Sequence, residues 1–302
     1  MMANKRSLLY LVSCALPVAA AAQTTSRPAI RAASPEVFEA VRAIYEYNTK
    51  APLHAESFNK QDLPAYTREK FVFSGVQQSR VPGLLLIPKT GKGPFPLVIL
   101  LHGITGSKEG WLEPDGWAYG TRLIDPLISA GIAVMALDAR YHGERGAEGG
   151  YRVPSDINDI RDFVVETVIE HRRVLDYAGT RADLDSTRIG LLGLSMGGME
   201  TFALTAVDSR VKAAVAGVTP AGVMKNFITI PVAPQTFAGA IRTTPFLMLM
   251  GRSDEYYTVD EARQLFETIA SPRKELVFYE SGHRMPPDYA AKAVSWLMQY
   301  LK

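Results

Sequence analysis

The chain has 302 residues, 47% of them hydrophobic and 21% charged, so it can bury a large core and is too apolar to stay disordered. Lys and Arg number 33 against 31 Asp and Glu, but Lys5 and Arg6 both lie in the first 22 residues, which hold no acid; without that segment the balance is 31 against 31. A chain without net charge has no overall pull toward nucleic acid, anionic membrane or polyanions, which leaves small-molecule or glycan substrates as the expectation.

Met1 to Arg6 is polar and basic, Leu8 to Val12 opens an apolar run, and Ala19 to Ala22 closes it with small residues. This is the pattern of a secretory signal peptide over 1–22, with cleavage expected between Ala22 and Gln23 and the product exported, periplasmic or secreted. The run is shorter than the ~20 apolar residues of a bilayer span, and no later stretch reaches that length, so no transmembrane segment is expected. Leu11-Val12-Ser13-Cys14 also resembles a lipobox, which makes lipidation at Cys14 the alternative processing. Cys14 is the only cysteine, and cleavage after Ala22 leaves none. Disulfides, cysteine nucleophiles and thiolate metal sites then drop out, and stability rests on the core.

Residues 23–33 are polar and aperiodic and read as a flexible leader. Ser34-Pro35 reads as an N-cap with proline at the first helical position, and Val37, Phe38, Val41, Ile44 and Tyr45 recur at helical spacing. A helix over 34–47, docked on the main domain, is predicted. From Glu69 the period falls to two, and Phe71 to Phe73 with Val81 to Ile87 predict an antiparallel strand pair. Beyond Pro96, apolar runs of strand length occur at Leu97–Leu101, Ile132–Leu137, Ile189–Leu194, Val211–Val218, Phe246–Met250 and Leu276–Tyr279. Helical stretches at Thr121–Ala130, Ile157–Ala178, Met196–Thr205, Val259–Ile269 and Asp288–Leu301 alternate with them. Such a text predicts an α/β domain over 34–302, core at about 70–302, whose mostly parallel central sheet carries helices on both faces.

Gly193-Leu194-Ser195-Met196-Gly197-Gly198 joins the Ile189–Leu194 strand to the next helix, the context that a G-x-S-x-G nucleophile elbow requires. Gly193 and Gly197 are expected to be glycine because a Cβ would strike neighbouring backbone, and the Met196 N–H at the helix start is left open to an anion. The bland alternative is a helix-capping serine in a glycine-rich turn. Strand Leu97–Leu101 ends in His102-Gly103-Ile104, whose Ile104 N–H is the candidate second oxyanion donor, with His102 read as structural.

Five histidines could serve as base: His54, His102, His142, His171 and His283. His54 lies in an early loop, His142 follows the strand that ends at Asp138, and His171 is inside a predicted helix; surface or loop packing suffices for each. His283 follows the last strand at the carboxyl edge and is the candidate base. Its carboxylate partner is expected at a strand end, and Asp254 follows Phe246–Met250, with Glu255 the neighbouring alternative and Asp260 a remoter one. The chain order Ser195, Asp254, His283 is that of the α/β-hydrolase arrangement.

His102-Gly103, Asp138 to Gly143, Gly193 to Gly198, Gly251 to Asp254 and Gly282-His283 together resemble an α/β-hydrolase, most similar to the dienelactone-hydrolase-like and acetyl-xylan-esterase-like branches. The resemblance covers about residues 70–302 and implies that fold without a large cap domain. Dienelactone hydrolases use a cysteine nucleophile, whereas Ser195 here points to ordinary esters. Residues 219–241 are too short for a cap; their apolar side chains either fold over the nucleophile as a flap or pack as core. The loop 140–154 is expected to border the mouth of the site, with Arg140 and Glu144 or Glu148 in surface pairs.

The function these features imply is ester hydrolysis by a Ser-His-Asp triad through an acyl-enzyme, with no metal or organic cofactor. A carbohydrate esterase removing acetyl or feruloyl groups from polysaccharide is the alternative within catalysis, and a non-catalytic binding module on the same scaffold is the alternative outside it.

Overall fold

The computed structural model describes residues 29–146, 156–220 and 227–302. The elements in chain order are α1 (Pro35–Arg42), β1 (Glu56–Asp62), β2 (Tyr66–Ser74), β3 (Arg80–Pro88), β4 (Phe95–Leu101), α2 (Thr121–Ser129), β5 (Ala133–Leu137), α3 (Ile157–Thr180), β6 (Leu184–Leu194), α4 (Met196–Val207), β7 (Val211–Gly217), α5 (Pro234–Ala238), β8 (Phe246–Gly251), α6 (Val259–Thr268), β9 (Lys274–Tyr279) and α7 (Tyr289–Leu301). The nine strands form one sheet in the order β1-β2-β3-β5-β4-β6-β7-β8-β9. Strands β1 to β3 are antiparallel, β3 runs antiparallel to β5, and every pairing from β5 to β9 is parallel.

The central strands read as unbroken apolar runs because both of their faces are covered. In β4, Leu97, Ile99 and Leu101 enter the cluster built with Val41, Phe163, Phe202, Phe237 and Leu265, which come from α1, α3, α4, α5 and α6. Val98 and Leu100 point the other way, into the cluster with Leu123 of α2 and Tyr289 and Leu297 of α7. The α/β architecture with helices on both faces is therefore as expected. Caps explain where helices begin: Ser34 Oγ accepts from Val37 N–H with Pro35 at N1, and Thr258 with Glu261 makes a reciprocal capping box at α6. No helix among the described residues is long and apolar enough to cross a membrane.

Four local readings change. Strand β1 was not anticipated, since its sequence ESFNKQD lacks apolar alternation; it is an almost wholly exposed edge strand held by backbone pairing to β2. The end of the leader is docked and not free: Ile30 is buried in the first cluster and its N–H donates to Gln264. Within 219–241, the described stretch from Thr229 packs as core and does not form a flap: Val232, Phe237 and Ala238 are buried, and Pro231 O accepts from the Tyr45 hydroxyl. Finally, Glu144 makes a partly exposed pair with Lys70, as expected, but it also reaches the buried Lys108, and Arg140 turns inward to Glu166 and the buried Glu170. The expected signal peptide, Cys14, Glu148 and residues 221–226 lie outside the described residues.

Candidate active site

Ser195 stands where β6 ends and α4 begins. Its backbone has φ 59° and ψ −116°, a left-handed conformation that a non-glycine residue adopts only under constraint. The constraint is visible on both sides. A Cβ at Gly193 would lie 2.0 Å from Gly197 O, and one at Gly197 would lie 2.0 Å from Leu101 O, so only glycine lets β6, α4 and the end of β4 close this tightly. Ser195 N–H donates to Gly217 O, which ties the turn to β7. Although Ser195 occupies the N-cap position of α4, its hydroxyl makes no capping bond.

That hydroxyl instead meets His283: Ser195 Oγ is 2.8 Å from His283 Nε2, and His283 Nδ1 is 2.8 Å from Asp254 Oδ2. His283 lies on the loop after β9 and Asp254 on the loop after β8. The Asp254 carboxylate is fully buried, and its other oxygen accepts the Tyr256 N–H. A carboxylate facing Nδ1 fixes the proton there and turns the Nε2 lone pair toward the serine. Of the three acids at this strand end, Asp254 is the one at the imidazole; Glu255 is exposed and Asp260 sits exposed in the first turn of α6.

The loop after β4 approaches the same serine. A Cβ at Gly103 would come within 3.3 Å of Ser195 Cβ. Among the described residues the Ile104 N–H makes no hydrogen bond, and the Met196 N–H, first in its helix, has no acceptor within the helix. Gly103 to Ser107, Trp111, Glu113, Trp117, Leu194, Ser195 and His283 line a cavity of about 250 Å³.

Of the remaining histidines, His54 is exposed, whereas His102, His142 and His171 are buried. His102 Nδ1 donates to Gly103 O and its Nε2 accepts the Ala139 N–H, as befits a structural ring. Burial pushes its pKa down to about 4, and that of His171 likewise.

Sequence reasoning missed several neighbours. The exposed rings of Trp117 and Tyr256 flank His283 at 5.9 and 4.5 Å, and isolated aromatic residues in loops give no periodic signal. Beside the site, Glu109, Asp138 and Glu144 converge as a metal centre would require. The buried Lys108 ammonium already stands where they converge, 2.8, 2.6 and 2.6 Å from them. Nothing in the local pattern around Lys108 marks it as buried.

Residues 98–298 match the alpha/beta hydrolase family, two thirds of the chain. Bacillus subtilis YtaP is 24% identical over 179 residues, which span 58% of this chain and 60% of YtaP, under two thirds of that relative. Esterase EstD of Thermotoga maritima is 31% identical over 146 residues, 46% of this chain and 31% of EstD. In fold, the chain resembles an acetyl xylan esterase from Paenibacillus sp. R4, with a TM-score of 0.70 at 20% identity, covering 91% of this chain and 97% of that one. With the family match spanning β4 to α7 of this nine-stranded sheet, the chain belongs to the alpha/beta hydrolase family.

Proposed function

We propose that this protein hydrolyses carboxylic esters, with Ser195 as nucleophile, His283 as general base and acid, and Asp254 as the group that orients the imidazole. The observation that carries the reading is the unbroken pair of 2.8 Å contacts from Ser195 Oγ through His283 to Asp254. As the hydroxyl attacks the ester carbonyl, His283 Nε2 takes its proton, and Asp254 stabilises the imidazolium. Negative charge gathers on the carbonyl oxygen between the Met196 and Ile104 N–H groups, with the start of α4 adding its dipole. His283 then hands the proton to the departing alcohol. Water enters the same way, releases the acid from the acyl-enzyme and regenerates Ser195.

A cavity of about 250 Å³ is smaller than a site for drug-sized ligands, which supports short acyl groups. Export after cleavage at Ala22 belongs to the same proposal and is tested by mass spectrometry of the processed N-terminus. The catalytic reading is tested by p-nitrophenyl esters of increasing chain length together with covalent labelling by a fluorophosphonate. Turnover of the acetate with labelling at Ser195 supports it. An intact protein that does neither refutes it.

A further inference from the structure

The loop after β4 is held from its buried side by two imidazoles. His102 Nδ1 donates to Gly103 O at 2.8 Å. His142, fully buried on the loop after β5, places Nε2 2.5 Å from Ile104 O and Nδ1 2.6 Å from Arg140 O. The two rings lie 5.0 Å apart, centroid to centroid. Two successive carbonyls of one loop, those of residues 103 and 104, thus both face a histidine nitrogen; burial favours the neutral His142 ring, which donates to Ile104 O with its one proton on Nε2. In a trans peptide the N–H points opposite to the C=O. The Ile104 N–H shares its peptide with Gly103 O, so it points away from the His102 Nδ1 that binds that oxygen, and Gly103 and Ile104 both line the cavity where Ser195 stands. The tilt of that peptide depends on how the next one is held, and His142 holds the next one.

We infer that His142 is a positioning residue of this site: by binding the Ile104 carbonyl it fixes the peptide whose N–H receives the oxyanion. The inference rests on the ester-hydrolase reading and adds a residue that touches neither substrate nor triad.

The anchor for this strut is rigid. His142 N–H donates to Ala139 O. Two residues beyond it, Glu144 N–H donates to Asp138 Oδ2. Arg145 bonds both Glu170 oxygens and Asp138 O, and Arg140 meets Glu166. Gly143 adopts φ +50°, and a Cβ there would lie 2.2 Å from Asp138 Oδ1. The loop after β4 is also fastened to this neighbour at both ends, by His102 Nε2 on Ala139 N–H and by Lys108 on Asp138. His142 supplies the middle attachment, the one next to the reacting atoms. Without it, residues 103–106 would keep only the contacts to Gly103 O from His102 and from the Gly106 N–H, the Ile104–Thr105 peptide would be free to tilt, and the preorganisation on which oxyanion stabilisation depends would weaken.

The test uses His142→Ala, His142→Asn and His142→Gln in the full chain. In His142→Ala, kcat for p-nitrophenyl acetate and the rate of fluorophosphonate labelling are both expected to fall about 10- to 100-fold, with KM changed less than about threefold. A trifluoromethyl ketone, whose adduct with Ser195 carries the oxyanion, should weaken by the same factor as kcat falls. His142→Gln, which can still donate to Ile104 O, should recover part of each loss. Should His142→Ala fail to fold, His142→Asn, too short to reach Ile104 O, is expected to show the same losses. Wild-type kcat, labelling and inhibitor binding in either folded variant overturn the role of His142 and leave the esterase reading standing. A wild-type chain that neither labels nor hydrolyses any ester overturns both.

Discussion

Ser195 Oγ and His283 Nε2 stand 2.8 Å apart across 88 residues of chain, from strand ends separated by two intervening strands of the sheet. No local pattern produces such a contact. It follows from β6 and β9 running parallel, so that both chains leave the sheet at one edge and their loops meet there. Removing the hydroxyl should therefore cost chemistry and little else. Ser195→Ala is expected to lower kcat by ~10⁴ or more while its urea midpoint stays close to wild type. Near-native hydrolysis of p-nitrophenyl acetate by that variant would sink the assignment.

Asp254 and Glu255 are adjacent, yet only the Asp254 carboxylate meets His283 Nδ1. An amide at 254 can present an N–H to the ring and favour the wrong tautomer. Asp254→Asn is expected to lose about 10⁴ in kcat, whereas Glu255→Gln, which alters an exposed side chain, should stay near wild type. Equal losses in the two variants would show that the geometry is misread.

Lys108 and Asp138 form an ion pair with both side chains fully buried. Burial works against the ammonium, but hydrogen bonds to Asp138, Glu109 and Glu144 outweigh it and hold the lysine pKa above its ordinary value. Lys108→Met strands the Asp138 charge and should cost about 3–5 kcal/mol in urea unfolding. Adding Asp138→Asn should return part of that loss, so the double variant should be more stable than the sum of the two single changes implies. Strict additivity would argue against coupling.

His102 and His171 are held near pKa 4 by burial, below the ordinary histidine value of about 6.5. Between those values the unfolded chain takes up protons that the folded rings refuse, so stability falls as pH drops through this window. The loss is on the order of 3 kcal/mol per ring by pH 4. Urea midpoints measured from pH 7.5 to 4.5 should decline, and His171→Gln should flatten the slope by about one proton. A flat profile in the wild type would contradict the neutral buried rings.

Glu200 tilts stability the other way. It is buried in α4, its Oε1 has no hydrogen-bond partner among the described residues, and burial raises its pKa well above the usual carboxylate range. The folded carboxyl keeps a proton that the unfolded chain releases above about pH 4.5, so wild-type stability decreases as pH rises. Glu200→Gln removes that dependence and should be more stable than wild type at pH 8, with the gap narrowing toward pH 5. Denaturation at both values checks this, and a constant difference would refute it.

How far the fold could be read depended on where each element lies. Strands β4, β5, β6 and β8 were legible because burial on both faces turns them into continuous apolar runs. Strand β1 was not, since an exposed edge strand needs only backbone partners and its residues ESFNKQD answer to solvent. The buried stretch around Phe237 is apolar whether it packs as core or covers a site, so composition alone left both readings open.

The chemistry divides along the same line. The strained turn at Ser195 is a local matter: Gly193 and Gly197 flank the serine within five residues, and their spacing alone announces the backbone crowding that requires them. What no stretch of text contains is which distant groups arrive there. Asp254 rather than Glu255 at the imidazole, Lys108 sealed among three carboxylates, and His142 bridging to Ile104 O are set by the order of strands in the sheet. That order brings loops far apart in the chain to one edge, and hydrogen-bond distance is a property of the edge and not of the spacing.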